Sequence, residues 1–427
     1  MKESNKSVEL LTDELLAQVV QPLPVVDVHT HINGQDPSAH DITEIVFYHY
    51  IVSELEAVGL SSAILKAAKS VEEKLDLFLK NCKQLSNTIT FWCLRRVLAL
   101  YGVEVDAELT RDALLHANAK VQATHADPSW PSRTLAETNH VSKTALTLNI
   151  TETIPHFDAK TFFGTLRLDD VLSTVTAGTL RQFGVMAGKK LKTMASFERV
   201  AAEQVSGFAK VGGKALSLSL SPDEDYVPAG RAKAAKLYER VRKGASLSHH
   251  ELESLHAYLL ELFAGLACDA HLPLQLLLGV QRPLPAQAAV AIISPRLVTR
   301  YALLFHKFRD LNFDLFLAAA AHSQEAVATA KSYPNISLSG FWWYGFSPPY
   351  IRAMLTERLL ALPAAKLHAF FSDAYNVEWS VGKLALLRRE LSRVLAELMV
   401  SHYISESQVP DLARALLHDN ATSLYKL

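Results

Sequence analysis

Eight short, strongly apolar runs recur along this chain, and most are followed by a segment whose apolar residues have helical spacing. Repeated strand-then-helix order predicts that the strands are parallel. Eight such units predict a closed (β/α)8 TIM barrel of the α/β class. The predicted strands are Pro24–Val28, Val141–Asn149, Phe162–Leu168, Lys214–Leu220, Pro273–Val280, Phe313–Ala320, Asn335–Phe341 and Leu367–Ser372.

The largest gap between predicted strands, Asp41 to His140, follows strand 1. Three segments within it have helical periodicity, namely Ile42–Leu60, Val71–Leu85 and Ala107–Ala123. Because structureless loops of this length are uncommon in compact domains, we expect a helical insertion at about residues 41–140. It leaves the barrel at the carboxyl end of strand 1 and should cover that face. With no internal repeat or low-complexity tract, residues 1–427 are expected to form a single domain.

The composition indicates which classes of partner to expect. Hydrophobic residues make up 49% of the 427 residues and the formal net charge is −1, so no charge excess favours nucleic acid or an anionic membrane. The three scattered cysteines, Cys82, Cys93 and Cys268, favour neither a disulfide framework nor a cysteine zinc site. The polar N-terminus resembles no signal peptide, and no apolar run reaches the ~18 residues of a membrane span. We therefore expect a cytoplasmic enzyme with a small-molecule substrate.

A metal site is predicted where strands 1 and 8 end. His29 and His31 have i, i+2 spacing, so on a strand they share a face at its C-terminal end. Asp373 closes the last apolar run, and strands 1 and 8 are neighbours in a closed barrel. Two imidazoles and a carboxylate form a ligand set for one divalent metal ion, with Zn²⁺ the expected ion. Asp27 would support the histidine strand from behind.

A family resemblance extends over nearly the whole chain. It is carried by Asp27-x-His29-x-His31, Tyr48-His49-Tyr50, Arg167-Leu168-Asp169, the segment from Gly244 to Arg282, Gly340 to Tyr344, Asp373, and His418-Asp419-Asn420-Ala421. In this order the motifs resemble the amidohydrolase superfamily and, within it, the uronate isomerases, which interconvert glucuronate with fructuronate and galacturonate with tagaturonate. The resemblance implies an amidohydrolase-like barrel that catalyses aldose–ketose isomerisation of a sugar acid.

The departures from that family suggest a changed substrate. Leu277 stands where the family has a strand-5 histidine, and Ser217-Leu218 stands where it has Asp-His. The family's arginine after strand 8 is absent from Ser372-Asp373-Ala374-Tyr375. Binding a polyol carboxylate needs many polar donors, and arginine above all for the carboxylate. We therefore expect a small carboxylated or polyhydroxylated substrate, with uronates converted poorly.

Further candidate site residues follow from position. Arg167, at the end of strand 3, is interpreted as an anion clamp, and Tyr50 as a cleft-facing residue of the insertion. Of Trp342 and Trp343, only one should face the barrel mouth while the other packs against a helix. His322 closes strand 6, where hydrolases of the superfamily often place a histidine, but a buried structural histidine is an equal alternative.

The other histidines show no metal-ligand spacing and are interpreted as surface or structural residues, His40, His125, His249, His250 and His368 among them. Lys214 lies too early on its strand to act as a carboxylated, metal-bridging lysine.

Two hypotheses follow. In the first, His29, His31 and Asp373 bind one metal ion that polarises a carbonyl or activates water, and Asp373 also carries the proton. Arg167, Tyr50 and His322 assist catalysis, and Arg167, Tyr50, Trp342 and Trp343 shape the substrate site. This arrangement would suit either isomerisation or an amidohydrolase or decarboxylase reaction on an unrelated substrate. In the second hypothesis, a degenerate barrel is retained for binding. Association into homo-oligomers is expected only by analogy with the superfamily.

Overall fold

The computed structural model describes residues 7–281, 290–291 and 294–427. Arg282, the last residue of one resemblance motif, lies outside the described residues. Eight parallel strands form one sheet in chain order, as predicted. They are Val25–Asp27 (β1), Val141–Asn149 (β2), Phe162–Arg167 (β3), Ala215–Leu220 (β4), Leu274–Leu278 (β5), Phe313–Leu317 (β6), Ile336–Ser339 (β7) and Leu367–His368 (β8).

Backbone hydrogen bonds join the two ends of this sheet. The amide of Asp373 donates to the carbonyl of His29 at 3.0 Å, and the amide of His31 donates to Ala374 at 2.8 Å. Both bonds lie beyond the short regular parts of β1 and β8. The predicted (β/α)8 barrel is confirmed, and its closure runs through the residues of the predicted metal site.

The seven helices of the insertion are Ile42–Val46 (α2), His49–Ala57 (α3), Ser62–Ala67 (α4), Val71–Cys82 (α5), Ile89–Ala99 (α6), Arg111–His125 (α7) and Trp130–Ser132 (α8). The predicted segment Ile42–Leu60 is therefore two helices, which separate at Phe47 and Tyr48. Helix α5 begins with a capping box in which Ser70 and Glu73 bond to each other's backbone amides.

The remaining helices precede the barrel, cover its outer face or close its amino-terminal end. They are Val8–Leu15 (α1), Ala177–Met186 (α9), Met194–Lys210 (α10), Arg231–Arg242 (α11), His249–Asp269 (α12), Ala302–Lys307 (α13), Ser323–Ser332 (α14), Pro348–Ala361 (α15), Val377–Val400 (α16), Val409–Arg414 (α17) and Asn420–Tyr425 (α18). In the described part of the chain, no helix is both long and apolar enough to cross a membrane.

The insertion is attached to the barrel through a buried carboxylate. Glu378, near the start of α16, accepts from the indole of Trp130 and the hydroxyl of Tyr101, both at 2.9 Å. Its second oxygen accepts from the backbone amide of Ala39 at 3.2 Å. Because a buried carboxylate is costly unless it is hydrogen-bonded, these three donors fix the insertion on α16.

The last helix closes the opposite end of the barrel. Tyr425, at the end of α18, is buried in the interior and donates to Asp314 of β6. The amide side chain of Gln275 on β5 donates to the same tyrosine hydroxyl at 2.9 Å. Asp314 also accepts from Ser339 of β7 at 2.8 Å. The interior is thus filled by side chains, with a polar layer beneath its apolar core.

Candidate metal centre

Two histidines stand at the carboxyl end of β1, as their spacing predicts. His29 is fully buried, whereas the side chain of His31 is 28% exposed. Their rings meet edge to face with centroids 5.2 Å apart. His31 also stacks on Tyr375 at 5.0 Å. His29 therefore forms the inner wall of the site and His31 lies toward solvent.

Asp373 reaches the same point from the other side of the barrel closure. Its Oδ1 lies 3.9 Å from Nε2 of His29 and 3.4 Å from Nε2 of His31. Asp373 has φ +52°, in the left-handed region that Asp and Asn enter more readily than most residues. The hydroxyl of Tyr48 donates to its carbonyl at 2.7 Å, which holds this backbone conformation from the insertion.

The two carboxylate oxygens of Asp373 have different surroundings. Oδ1 faces the histidines, whereas Oδ2 accepts from the hydroxyl of Tyr50 at 2.8 Å and from the indole of Trp342 at 3.2 Å. Two donors on Oδ2 fix the rotation of the carboxylate and leave Oδ1 directed at the space between His29 and His31.

The electrostatics of the site keep His29 neutral and Asp373 charged. Burial, with a smaller effect from His31, lowers the pKa of His29 to about 3. Burial alone would raise the pKa of Asp373, but the hydrogen bond and charge of His31, with Lys383 and His29, hold it well below its ordinary value. A neutral imidazole beside a carboxylate is the protonation state that metal ligation requires.

A divalent ion fits these residues. One ligand atom from each of His29, His31 and Asp373 lies within 4.8 Å of the other two. Both ring nitrogens of His29 are buried, and neither has a hydrogen-bond partner among the described residues. A buried ring with two unpaired nitrogens, facing a second imidazole and a carboxylate, has the ligand chemistry that a divalent ion requires.

Asp27 supports the site from beneath. It is fully buried, and its Oδ1 accepts from the amide of Ser372 at 2.9 Å, which ties β1 to the chain just before Asp373. Burial raises the pKa of Asp27 to about 7, despite its hydrogen bonds with Ser372. The expectation that Asp27 supports the histidine strand agrees with this position.

The side of the site toward β5, β6 and β8 is apolar. Leu277, at the position of the missing strand-5 histidine, is buried with Phe316 and Phe371 in the barrel interior. The rings of these two phenylalanines lie 5.7 Å and 6.0 Å from His29. Leu277 offers no ligand atom on that side, so the described ligands suit one ion rather than two.

Other predicted site residues occupy different positions. Arg167 is paired through Nε and Nη2 with Asp169, and Nη2 also donates to Ser219 at 2.6 Å. His322 is buried beside Glu325 at 3.8 Å and does not belong to the ligand group.

The two tryptophans have different contacts, and the indole of Trp342 donates to Asp373. Trp343 stacks on Tyr50 of α3, with ring centroids 6.1 Å apart.

The sequence prediction missed Lys383 of α16. This lysine is buried, and its Nζ donates to the carbonyl of Ser372 at 2.5 Å and to the hydroxyl of Tyr48 at 3.0 Å. Burial lowers its pKa to about 8, although the charge of Asp373 opposes that shift. Its only signal in the sequence is a cation within an apolar helical stretch, which is also typical of a side chain that extends to solvent.

Comparison with known proteins gives the same fold over nearly the full length. No model of a known protein family matches the chain. A uronate isomerase of Rhizorhabdus wittichii is 23% identical over 451 residues, covering 96% of this chain and 94% of the relative.

Two solved structures are similar throughout. The uronate isomerase of Thermotoga maritima matches with a TM-score of 0.87 at 18% identity, covering 97% of both chains. The glucuronate isomerase of Caulobacter crescentus matches with a TM-score of 0.86 at 18% identity, covering 99% of this chain and 95% of the other. The chain is thus similar over nearly its whole length to uronate isomerases, and it has the TIM-barrel fold of these two solved structures.

Proposed function

We propose that this protein is a mononuclear metal-dependent isomerase that interconverts the aldose and ketose forms of a small carboxylated or polyhydroxylated substrate. The observation that carries the proposal is the buried imidazole of His29, which faces His31 and Asp373 and has no hydrogen-bond partner in the described part of the chain. The similar proteins are uronate isomerases, which supports isomerisation as the reaction type. His29, His31 and Asp373 would hold the ion, for which Zn²⁺ is the first candidate.

When bound, a divalent ion at these residues would act as a Lewis acid on a substrate carbonyl. Aldose–ketose isomerisation moves one proton between the carbonyl carbon and the adjacent hydroxyl-bearing carbon, and another between their oxygens, so it also needs a base. Asp373 is the charged carboxylate at this point, and its Oδ1 is directed at the open space. Tyr50 and Trp342 hold the other oxygen, so the carboxylate keeps one orientation.

Arg167 is our candidate for binding a substrate carboxylate. Its Nε and Nη2 are occupied by Asp169 and Ser219, whereas Nη1 donates to none of the described protein atoms. Its positive charge contributes to the lowered pKa of His29, so it lies within electrostatic range of the metal centre. A guanidinium held by a carboxylate is already oriented, and little entropy is lost when it binds an anion.

The experiment compares metal content and turnover in one preparation. We expect the parent protein to bind one more ion per chain than the His29→Ala/His31→Ala double variant, and circular dichroism should show that the variant is still folded. The matched control is His249→Ala/His250→Ala, which removes two histidines from the exposed start of α12. A double variant that binds as much metal as the parent would show that β1 does not carry the ligands. A parent chain that takes up no metal would favour the degenerate barrel.

Hydrolysis is a second candidate, favoured by the apolar wall of Leu277, Phe316 and Phe371. A sugar acid has a hydroxyl on nearly every carbon, and such a wall satisfies none of them. A metal ion held by His29, His31 and Asp373 could also activate water for attack on a carbonyl. Turnover in H₂¹⁸O separates the reactions, because hydrolysis places the heavy oxygen in the product acid, whereas isomerisation in D₂O places deuterium on carbon.

A further inference from the structure

A second group of metal-ligand residues lies outside the barrel mouth. It consists of Asp36 in the loop after β1, His40 just before α2, and His125, the last residue of α7. One ligand atom from each lies within 4.8 Å of the other two. The sequence gives no metal-ligand spacing here, since His125 is 85 positions from His40, and only the folding of the insertion brings the two histidines together.

The contacts within this group resemble a metal site with its supporting residue. Nε2 of His40 lies 2.6 Å from Oδ2 of Asp36, and Nδ1 of His125 lies 3.7 Å from Oδ1. Tetrahedral zinc with bonds of about 2.0–2.1 Å separates its ligand atoms by about 3.3 Å, so small side-chain shifts would suffice. The histidine rings are 4.4 Å apart, centroid to centroid.

Glu44 orients His40 for ligation. The carboxylate lies 2.8 Å from Nδ1 of His40 and also accepts from the His40 backbone amide at 3.0 Å. A carboxylate on one ring nitrogen fixes the tautomer and directs the other nitrogen at the metal, as in many zinc sites.

An independent observation concerns His125. Its Nδ1 is buried and has no hydrogen-bond partner among the described residues, although it faces Asp36. The imidazole therefore has an unused lone pair or proton directed at the centre of the group. A cleft of about 410 Å³, lined in part by Asp36, Asp127 and Asp158, opens beside it and gives a cation access through acidic surroundings.

We propose that Asp36, His40 and His125 form a second site for a divalent transition-metal ion, with zinc as the expected class. Two imidazoles and one carboxylate favour zinc over magnesium or calcium, which prefer oxygen ligands. The ion joins the loop after β1 to the first helix of the insertion and to the end of α7. Its function is structural, because it holds the insertion against the segment that follows His29 and His31.

Zinc titration by calorimetry tests this proposal. The His29→Ala/His31→Ala variant, which lacks the candidate active-site ligands, is expected to bind about one zinc per chain. Adding His125→Ala should abolish that binding, and adding Asp36→Asn should weaken it at least about tenfold. His249→Ala is the matched control, since His249 also pairs with a carboxylate, Glu253, at 3.4 Å but belongs to no ligand group.

Two further measurements keep the test independent of the active site and of folding. In the parent protein, His125→Ala should reduce zinc stoichiometry from two to one, and zinc should no longer raise the melting temperature in the variant that lacks both sites. Circular dichroism verifies that each variant is folded. Absence of zinc binding in the His29→Ala/His31→Ala background, or binding unchanged by both His125→Ala and Asp36→Asn, would overturn the second site without bearing on the first.

Discussion

At the scale of single residues, Asp373 combines three features of backbone and side chain. Its backbone is left-handed, its Oδ1 faces two histidines, and its Oδ2 accepts two hydrogen bonds. A residue type that tolerates this φ while offering two oxygens is nearly restricted to Asp. Asn has the same tolerance and volume but cannot take up a proton, so it is the substitution that best separates ligation from proton transfer.

We predict that Asp373→Asn retains part of the bound metal but loses about 10²–10⁴-fold in kcat, the range that general acid–base groups supply. Metal content and turnover should be measured on the same preparation. If activity falls only in proportion to metal occupancy, Asp373 is a ligand alone. Normal metal with a near-normal rate would remove it from the chemistry and make His322 the next candidate base.

Tyr50→Phe tests the support of that carboxylate. The variant removes the donor to Oδ2 but keeps the ring that stacks on Trp343. A hydrogen bond to a charged group contributes about 1.5–3 kcal/mol, so we expect kcat to fall by about 10- to 150-fold with metal content unchanged. Tyr344→Phe, at a 45% exposed tyrosine, is the control, and it should leave the rate unchanged. Equal rates for the two variants would contradict a role for Tyr50.

At the scale of elements, α16 connects the insertion to the metal centre. Glu378 in its first turn accepts hydrogen bonds from Trp130 and Tyr101 of the insertion. Lys383, further along the helix, donates hydrogen bonds to Ser372 and Tyr48. Both charged residues are buried on one helix. The chain uses them to fix the backbone next to Asp373 and the helices above it, although neither touches the candidate ligand atoms.

Lys383 should be visible in the pH dependence of stability. Its pKa is lowered from 10.5 to about 8, so between these values the unfolded chain binds more protons than the folded chain. The contribution of Lys383 to stability is therefore complete above pH 10.5 and is lost as the pH falls through about 8. Relative to Lys383→Met, we expect the free energy of unfolding of the parent to rise over this interval, by on the order of 3 kcal/mol. Urea titrations at several pH values measure this free energy. The same pH dependence in the parent and in Lys383→Met would contradict the buried position of this amine.

At the scale of the whole molecule, the repeated strand and helix pattern predicted the barrel, because eight apolar runs in parallel order have few alternatives. It also predicted which strand ends meet, and hence that His29, His31 and Asp373 lie close together. It could not predict Lys383 or the His40–His125 pair. Those contacts depend on how the insertion packs on α16 and on itself, and a periodicity records only which face of a helix is buried. Likewise, no pattern shows that Arg167 is already paired with Asp169.

The apolar wall beside the metal centre predicts the substrate range. With Leu277, Phe316 and Phe371 on one side, glucuronate and galacturonate should be converted poorly, below a kcat/KM of about 10⁴ M⁻¹s⁻¹. A panel of aldoses and sugar acids with fewer hydroxyls, assayed with metal-loaded protein, should contain better substrates. Efficient conversion of either uronate would show that the remaining polar residues suffice for the activity of the relatives.

The position of Tyr425 has a consequence for how the chain folds during synthesis. Residues 367–425 supply β8, Asp373, α16 and the tyrosine that fills the amino-terminal end of the barrel. Until they leave the ribosome, β1 and β7 are unpaired edges and Asp314 lacks its donor from Tyr425, so the earlier strands form a sheet with exposed apolar faces. Such intermediates depend on long-range contacts and are prone to aggregate. Expression at low temperature or with added chaperones should therefore improve the soluble yield of the full chain more than that of a circular permutant in which residues 367–425 are made first.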